Sequence, residues 1–320
     1  MVSVALPFLL AAKPEVTAWV VGYNPKSIER FEQRASQFDA VFTEYYTIAK
    51  DGSLIRRGES YKAVFDKARG IAKKHKVHFY GMLNNYAVDD GVEIGFEPKR
   101  AAKVFATKES REKFSKDIVR FLKEDGAEGI DLDLESLNAG DKDRYSAFAA
   151  VLAKDLHQAG MKLSVTVHPK DNLEGNWDGP KAHDYKALGA VADRFNVMTY
   201  DFSWTTGPEG PIAPNAWVER VLKFTATQVS ASKIGMGIPC YGYDWGKKPA
   251  SSVDYADLPS MSAAKVDPES GELILGKLHY SGAEAFRQKY ALATKMGLGS
   301  IAFWYCGSED PKIWEFLPKR

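Results

Sequence analysis

The sequence lacks the residues and biases that define several classes of protein. Only two of its 320 residues are cysteines, Cys240 and Cys306, so it can form neither a disulfide framework nor an all-cysteine zinc site. It has almost no excess charge, because 43 Lys and Arg balance 42 Asp and Glu to give +1. Nucleic-acid-binding proteins usually carry a basic surplus. With 45% hydrophobic residues, the composition excludes a disordered chain and predicts a globular protein that does not bind nucleic acid.

Long apolar runs are missing too. The apolar run over residues 2–12 is too short to span a bilayer, which needs about 20 residues. The run resembles the end of a secretory signal peptide without its charged beginning, and the alternative is an apolar N-terminal arm. We therefore expect no membrane span. We also expect a secreted or cell-envelope protein, with the cytoplasm as the alternative location.

The rest of the chain alternates between short β-branched and aromatic runs and longer amphipathic runs. The pattern predicts eight strands, over residues 16–24, 40–50, 77–86, 129–135, 162–169, 195–202, 234–243 and 300–307. It predicts seven helices between them, over residues 27–36, 61–75, 108–124, 143–159, 184–192, 216–229 and 283–296.

Eight alternating strands and helices predict an α/β protein, a (β/α)8 TIM barrel. A doubly wound open sheet is the alternative, and it is disfavoured because no glycine-rich phosphate fingerprint follows any strand. We interpret residues 13–320 as a single catalytic barrel. The one long departure from the alternation, residues 246–280, predicts a small hairpin insertion at the barrel rim, between strand seven and the last helix.

Three acids alternate along one predicted strand, in the run EGIDLDLE over residues 128–135. Side chains alternate between the faces of a strand, so Asp131, Asp133 and Glu135 share one face and point into the barrel. Close acids cannot all ionise at neutral pH, so at least one pKa is expected to rise. A carboxylic acid that stays protonated near pH 7 is what a general acid requires. Glu135, at the carboxyl end of the strand, is the candidate.

Alternating acids can also form a structural acid cluster or a site for a hard cation. No histidine lies near the acid run, which counts against a mixed histidine and carboxylate metal site. Loss of activity in EDTA would favour the metal hypothesis.

The acid run resembles the DGxDxDxE signature of glycoside hydrolase family 18, with Glu128 in place of the first Asp. Three further runs are similar to the same family, especially its bacterial members: NVMTYD over residues 196–201, YGYDW over residues 241–245 and SIAFWY over residues 300–305. A flat Trp side chain on strand eight can stack on the C–H faces of a sugar ring. The resemblance extends over most of the predicted barrel and is weakest in the first three strands.

The resemblance implies a retaining glycosidase that uses the 2-acetamido group of its own substrate as nucleophile. Glu135 would be the acid and base, Asp133 would orient the acetamide, Asp131 would share a proton with Asp133, and Tyr200 would hold the acetamide oxygen. The expected substrate-binding residues are Trp304, Asp201, Met198, Tyr243 and Asn84.

The expected partner is a glycan that contains N-acetylglucosamine with β-1,4 linkages, either chitin or peptidoglycan. No metal or organic cofactor is expected, and the protein is expected to be a monomer. The alternative function is a non-catalytic, chitinase-like sugar-binding barrel.

Overall fold

The computed structural model describes residues 13–319 of the chain. Eight parallel strands form its centre, and each begins where an apolar or β-branched run follows a polar turn. They are β1 (Glu15–Val20), β2 (Ala40–Ile48), β3 (His78–Asn84), β4 (Gly129–Asp133), β5 (Lys162–Val167), β6 (Arg194–Val197), β7 (Ile234–Pro239) and β8 (Ser300–Trp304).

The eight strands close into a barrel. Each strand pairs in parallel with the next along the chain, and β1 pairs with β2 on one side and with β8 on the other. The register at the closing seam places Glu15 opposite Ser300 and Ala18 opposite Phe303. This arrangement confirms the predicted (β/α)8 barrel.

Helices cover the outside of the barrel. Four of them begin at a residue whose side chain caps the helix, as Asn24 does before Pro25 at the start of α1. Nine α-helices lie within residues 13–319: α1 (Pro25–Arg34), α2 (Glu59–His75), α3 (Pro98–Phe105), α4 (Lys108–Asp125), α5 (Lys142–Gln158), α6 (Asp178–Ala182), α7 (Tyr185–Val191), α8 (Asn215–Gln228) and α9 (Ala283–Lys295). A 3-10 helix, Pro311–Glu315, follows β8.

The alternation of side chains along the strands separates two apolar layers. Side chains on the outer faces pack against the helices in one large core that includes Ile130, Leu132 and Val165. Side chains on the inner faces fill the lower part of the barrel with Trp19, Phe42, Tyr80, Met82 and neighbouring residues. The upper part of the barrel is left to polar side chains, and there the functional site is built.

All eight barrel strands end two to five residues earlier than predicted, and two of these ends shape the functional site. The predicted strand over residues 129–135 ends at Asp133, and the one over residues 195–202 ends at Val197. In both cases the backbone beyond the strand turns out of the ladder. The N–H groups of Thr199 and Tyr200, for example, bond to carbonyls two residues earlier in the chain.

The rim of the barrel holds more structure than predicted. The predicted hairpin within residues 246–280 is part of a five-stranded antiparallel sheet, in the order Ser251–Val253, Gly242–Asp244, Leu278–Tyr280, Leu273–Leu275 and Lys265–Val266. A hairpin, Tyr86–Asp89 with Val92–Phe96, stands between β3 and α3. Strand Leu54–Arg56 pairs with the end of β2.

The predicted signal peptide or arm over residues 1–12 lies outside the described residues. Within residues 13–319, no helix is both long and apolar enough to cross a membrane.

Candidate active site

A cleft of about 940 Å³ opens at the carboxyl ends of the barrel strands. This is the end at which parallel barrels place their chemistry. Eight of the nine side chains predicted from the sequence line it, namely Asn84, Asp133, Glu135, Met198, Tyr200, Asp201, Tyr243 and Trp304. The ninth, Asp131, lies beneath its floor and is fully buried.

Asp131 is held by donors from neighbouring strands. The Trp19 indole N–H donates to Oδ2 at 3.0 Å, and the Thr166 hydroxyl lies 3.1 Å from Oδ1 and 3.0 Å from Oδ2. Burial raises the pKa of Asp131, and these hydrogen bonds oppose the rise. Asp131 is therefore a fixed support below the cleft, with the inward orientation that the alternation predicts.

Asp133 differs from Asp131 in its partners. It is 4% exposed, and its Oδ1 atom has no hydrogen-bond partner among the described residues. Burial raises its pKa well above the ordinary range, and repulsion from Glu135, Asp131 and Glu44 adds to the rise. A buried carboxyl without a donor is costly, so this site favours a ligand that brings a donor, or a proton on the acid.

Glu135 lies two residues beyond the end of β4, with a side chain that is 20% exposed. Burial, followed by repulsion from Asp201, raises its pKa from 4.5 to about 8. The group is thus protonated over most of the neutral range and still faces the cleft. These are the two properties of a general acid.

The backbone of Glu135 is fixed by Asn85, a residue outside the predicted set. The Asn85 amide accepts a hydrogen bond from the Glu135 N–H and donates one to the Glu135 carbonyl, both at 2.8 Å. Ser136, the next residue, has a φ of 52°, a left-handed conformation that non-glycine residues rarely adopt. The fully buried Asn85 amide thus pairs with both backbone groups of Glu135, and it fixes the position of Glu135 just beyond the end of β4.

Two histidines support the same turn from the other side. The Ser136 N–H donates to Nε2 of His168 at 3.3 Å, and that Nε2 lies 3.7 Å from a Glu135 carboxyl oxygen. His183 lies 3.1 Å from the Leu134 carbonyl and accepts from the His168 N–H at 3.0 Å. Burial lowers the pKa of both histidines, that of His183 to about 4. They are therefore neutral supports of the turn rather than cationic partners of Glu135.

Aromatic and acidic side chains form the wall opposite Glu135. The hydroxyls of Tyr241 and Tyr243 donate to the same oxygen of Asp201, at 2.5 and 2.7 Å. Met198 and Tyr200 pack with these tyrosines in a small apolar cluster. Asp201 has a φ of 56°, and this unusual backbone turns its carboxylate toward the two hydroxyls.

Trp304 ends β8 and forms the apolar floor of the cleft. Its ring lies 5.7 Å from the ring of Trp19 below it, and its other side is partly open to the cleft. The peptide bond between Trp304 and Tyr305 is cis. A half-open indole of this kind can accept the apolar face of a sugar ring.

Glu44 is a second cleft residue outside the predicted set. It lies on the inner face of β2, opposite Met82 of β3, and its side chain is 8% exposed. One rule would have found it, because an acid two residues after an inward Phe42 on a predicted barrel strand must also face inward.

Glu128, the departure from the family signature, lies far from the chemistry. Its carboxylate is 2.7 Å from Nδ1 of His78, and both side chains are exposed at the amino ends of the strands. The substitution therefore leaves the cleft unchanged. Among residues 13–319, no group of three or more His, Cys, Asp or Glu side chains is placed to hold a metal ion.

Comparisons with known proteins agree with this geometry. The sequence profile described as "Glycosyl hydrolases family 18" matches residues 20–309. The chain is 26% identical to the "Uncharacterized glycosylase YvbX" of Bacillus subtilis (strain 168), over 99% of this chain and 96% of that protein. It is 27% identical to the "Cortical fragment-lytic enzyme" of Bacillus anthracis, but the match covers 64% of this chain and 52% of that enzyme. The crystal structure of a chitinase from Chromobacterium violaceum ATCC 12472 superposes with a TM-score of 0.84 at 26% identity, over 94% of this chain and 97% of that one.

Proposed function

The chain belongs to family 18 of the glycosyl hydrolases, and from this premise we propose that it hydrolyses β-1,4 linkages of glycans that contain N-acetylglucosamine. It is a glycosidase, and the proposal concerns its substrate and its mechanism. One observation carries the proposal: Glu135, with its raised pKa, and Asp133, with a buried oxygen that lacks a donor, face the same cleft beside Tyr200 and above Trp304.

The proposed reaction has two steps. In the first, Glu135 gives its proton to the glycosidic oxygen while the carbonyl oxygen of the substrate's 2-acetamido group bonds to the anomeric carbon, and the glycosidic C–O bond breaks. In the second, Glu135 takes a proton from water, which attacks the anomeric carbon and opens the oxazolinium ring. Two displacements at one carbon retain its configuration. An intramolecular nucleophile in the right place supplies a large effective molarity.

The other side chains have positioning roles in this proposal. Asp133 accepts the acetamide N–H and stabilises the positive charge that develops on it, a role that suits its missing donor. The Tyr200 hydroxyl donates to the acetamide oxygen, and it makes no hydrogen bond to any described residue that would compete. Trp304 supports the sugar ring from below.

Product analysis on two substrates tests the proposal. The full chain is incubated with chitin oligosaccharides of four to six sugars (roughly the length that a groove of this volume can cover) and with purified peptidoglycan sacculi, and products are identified by mass spectrometry. We expect shorter oligosaccharides with retained anomeric configuration from at least one substrate. Intact substrates in both arms would reject the proposed function.

The Glu135→Gln variant tests the assignment of the acid. It keeps the shape of the side chain and removes its proton, so turnover should fall by at least about 10²-fold while sugar binding persists. Glu128→Gln makes the same chemical change on the opposite end of the barrel and should hydrolyse like the parent. Comparable turnover in Glu135→Gln and the parent would exclude Glu135 as the acid.

A further inference from the structure

Glu44 is the buried acid of the cleft that the proposed mechanism leaves without a role. Its Oε1 atom is fixed from two sides, by the Asn84 side-chain amide, which donates at 2.9 Å, and by Nε of Arg57 at 3.4 Å. Its Oε2 atom is buried and has no hydrogen-bond partner among the described residues. Half of this carboxylate is thus held in place, and the other half lacks a donor.

The groups around Glu44 are themselves largely fixed. Nε of Arg57 is an unpaired donor 3.4 Å from Oε1, but Oε2 has no donor within hydrogen-bond distance among the described residues. Arg57 donates from Nη2 to the Asn84 side-chain oxygen at 2.6 Å and to the Tyr86 carbonyl at 2.9 Å. The Arg57 guanidinium also lies 5.1 Å from the ring of Tyr61. Native structures leave few buried polar atoms unpaired, so the Oε2 atom of Glu44 calls for an explanation, and a ligand that supplies the donor is one.

The position of Glu44 places it beside the reacting groups. It lies two strands from the acids of β4, and Asn84, its hydrogen-bond donor, is opposite Asp133 in the strand register. Its charge contributes to the raised pKa of Asp133. Tyr23 and Tyr61 line the same part of the cleft, and Tyr23 is 57% exposed, so an apolar surface for a sugar ring accompanies the acid.

The charge of the whole cleft also favours a ligand that supplies hydrogen-bond donors. Among the described residues, its walls contain a single basic side chain, Lys247, and seven acids, namely Glu44, Glu93, Asp133, Glu135, Asp201, Asp254 and Asp257. The chain as a whole carries only +1, so acid is concentrated here. Even when Asp133 and Glu135 are protonated and Glu44 is paired with Arg57, four acids of the cleft remain against a single lysine, so the cleft disfavours carboxylates and favours neutral donors and cations.

We propose that Glu44 belongs to a sugar-binding subsite that accepts an O–H or N–H donor from a neutral or cationic aminosugar unit, and that the acidic cleft discriminates against sugar units that carry a lactyl carboxylate. This inference rests on the proposed function and narrows its substrate. It selects stretches of N-acetylglucosamine or glucosamine over stretches with muramic acid carboxylates.

Calorimetric titration of the full chain with Glu135→Gln, which prevents turnover, tests the subsite. The ligands are three oligosaccharides of equal length: a fully N-acetylated chitin oligomer, a partly deacetylated one, and a peptide-free glycan with lactyl carboxylates. We expect the carboxylated ligand to bind at least tenfold more weakly than the acetylated one, and to recover part of this difference at high salt. Equal affinity for both would overturn the inference.

Replacing Glu44 identifies the donor. Glu44→Gln, added to Glu135→Gln, keeps the volume and removes the charge, so affinity for the neutral or cationic ligand should fall about five- to tenfold, because charged hydrogen bonds are stronger. A loss on the acetylated oligomer identifies a hydroxyl donor, and a loss confined to the deacetylated oligomer identifies an ammonium. Unchanged binding of both oligomers, for Glu44→Gln and for Glu44→Ala with intact thermal unfolding, would contradict the proposal.

The matched control is Glu128→Gln in the same background. It removes one negative charge from the exposed amino-end face of the barrel and should leave all three affinities unchanged. Hydrolysis of the acetylated oligomer by the parent chain separates the proposed function from the proposed subsite. If the parent hydrolyses the oligomer but replacing Glu44 leaves binding unchanged, only the subsite is rejected.

Discussion

At the scale of single residues, the cleft separates three acids that the sequence presents as equivalent. Asp131 receives donors from Trp19 and Thr166, Asp133 has an oxygen without a donor, and Glu135 faces the cleft. Environment rather than residue type therefore decides which acid carries a proton. Alternation along a strand predicts that all three point inward, but their hydrogen-bond partners come from distant segments and cannot be predicted from the run itself.

The raised pKa of Glu135 predicts an alkaline limit to activity. A general acid works only in its protonated form, so kcat/KM should be maintained at neutral pH and should fall as the pH rises through about 8. Because Asp133 and Glu135 repel each other, the alkaline fall in kcat/KM gives an apparent pKa that belongs to the two acids together. Measurement of kcat/KM on a chitin oligomer from pH 4 to 10 tests this prediction. An alkaline limb near pH 5 would show that Glu135 is not the titrating acid.

Stability measurements give an independent check of the same pKa. A carboxyl whose pKa is higher in the folded state stabilises the fold fully below its unfolded value of 4.5, and this contribution is lost as the pH rises toward 8. Glu135→Gln does not titrate, so its melting temperature should be close to that of the parent at pH 4 and above it at pH 8. A constant difference across this range would contradict the raised pKa.

Trp304 should contribute to binding rather than only to packing. Trp304→Ala removes the apolar floor of the cleft, so affinity for a chitin oligomer should fall at least about tenfold, which is about 1.4 kcal/mol. Calorimetric titration in the Glu135→Gln background measures the loss. Trp217→Ala on α8, outside the cleft, is the control for a general effect of tryptophan removal. Unchanged affinity for Trp304→Ala would make Trp304 a core residue.

At the scale of elements, the turn after β4 is built by its neighbours. Asn85 follows β3 and satisfies both backbone groups of Glu135, while His168 and His183 satisfy the groups on either side. Three segments thus hold one turn in an unusual conformation. Strain of this kind persists only where the surroundings impose it, and it is common at functional sites.

Asn85→Asp should therefore impair catalysis more than binding. The change keeps the size of the side chain but replaces the donor to the Glu135 carbonyl with a second acceptor, so Glu135 should lose its position. We expect kcat to fall about 10- to 100-fold with a much smaller change in KM. Steady-state kinetics on a chitin oligomer measure both constants, and a shifted alkaline limb would accompany the fall.

Asn172→Asp makes the same substitution on an exposed loop and should leave both constants unchanged. If thermal unfolding shows that the fraction of folded Asn85→Asp protein falls by as much as kcat does, Asn85 has a structural role alone.

The elements of the barrel could be predicted more fully than those of its rim. All eight barrel strands could be predicted because each contains a short run rich in β-branched and aromatic residues, and the longer amphipathic runs between them mark the helices. The hairpin after β3 is absent from the predicted elements, although its Asp90-Gly91 turn has φ values of 51° and 79° and Asp-Gly is a strong hairpin signal. Its strands are short and exposed, so their composition carries little of the pattern that marks a barrel strand.

At the scale of the whole molecule, the closing of the barrel joins the two ends of the described chain. The Cys306 N–H bonds to the Trp19 carbonyl, and the Gln37 side chain donates to the carbonyls of Trp314 and Leu317. Glu309, which is 1% exposed, forms the centre of this contact. These bonds join the segment that follows α1 to the C-terminal segment that contains the 3-10 helix Pro311–Glu315, over the seam between β1 and β8.

Glu309→Leu should destabilise the whole barrel without touching the cleft. The Glu309 carboxylate accepts from Nε of Arg30 at 2.9 Å, from the Trp314 indole at 3.0 Å and from the Gly307 N–H. Leucine leaves these donors unpaired beside the seam, and each buried orphan costs about 1–3 kcal/mol, so we expect a loss of about 3 kcal/mol or more. Urea unfolding followed by tryptophan fluorescence measures it. Glu128→Leu breaks an exposed pair with His78 and should cost less than about 1 kcal/mol, so equal losses in the two variants would mean that the seam does not depend on Glu309.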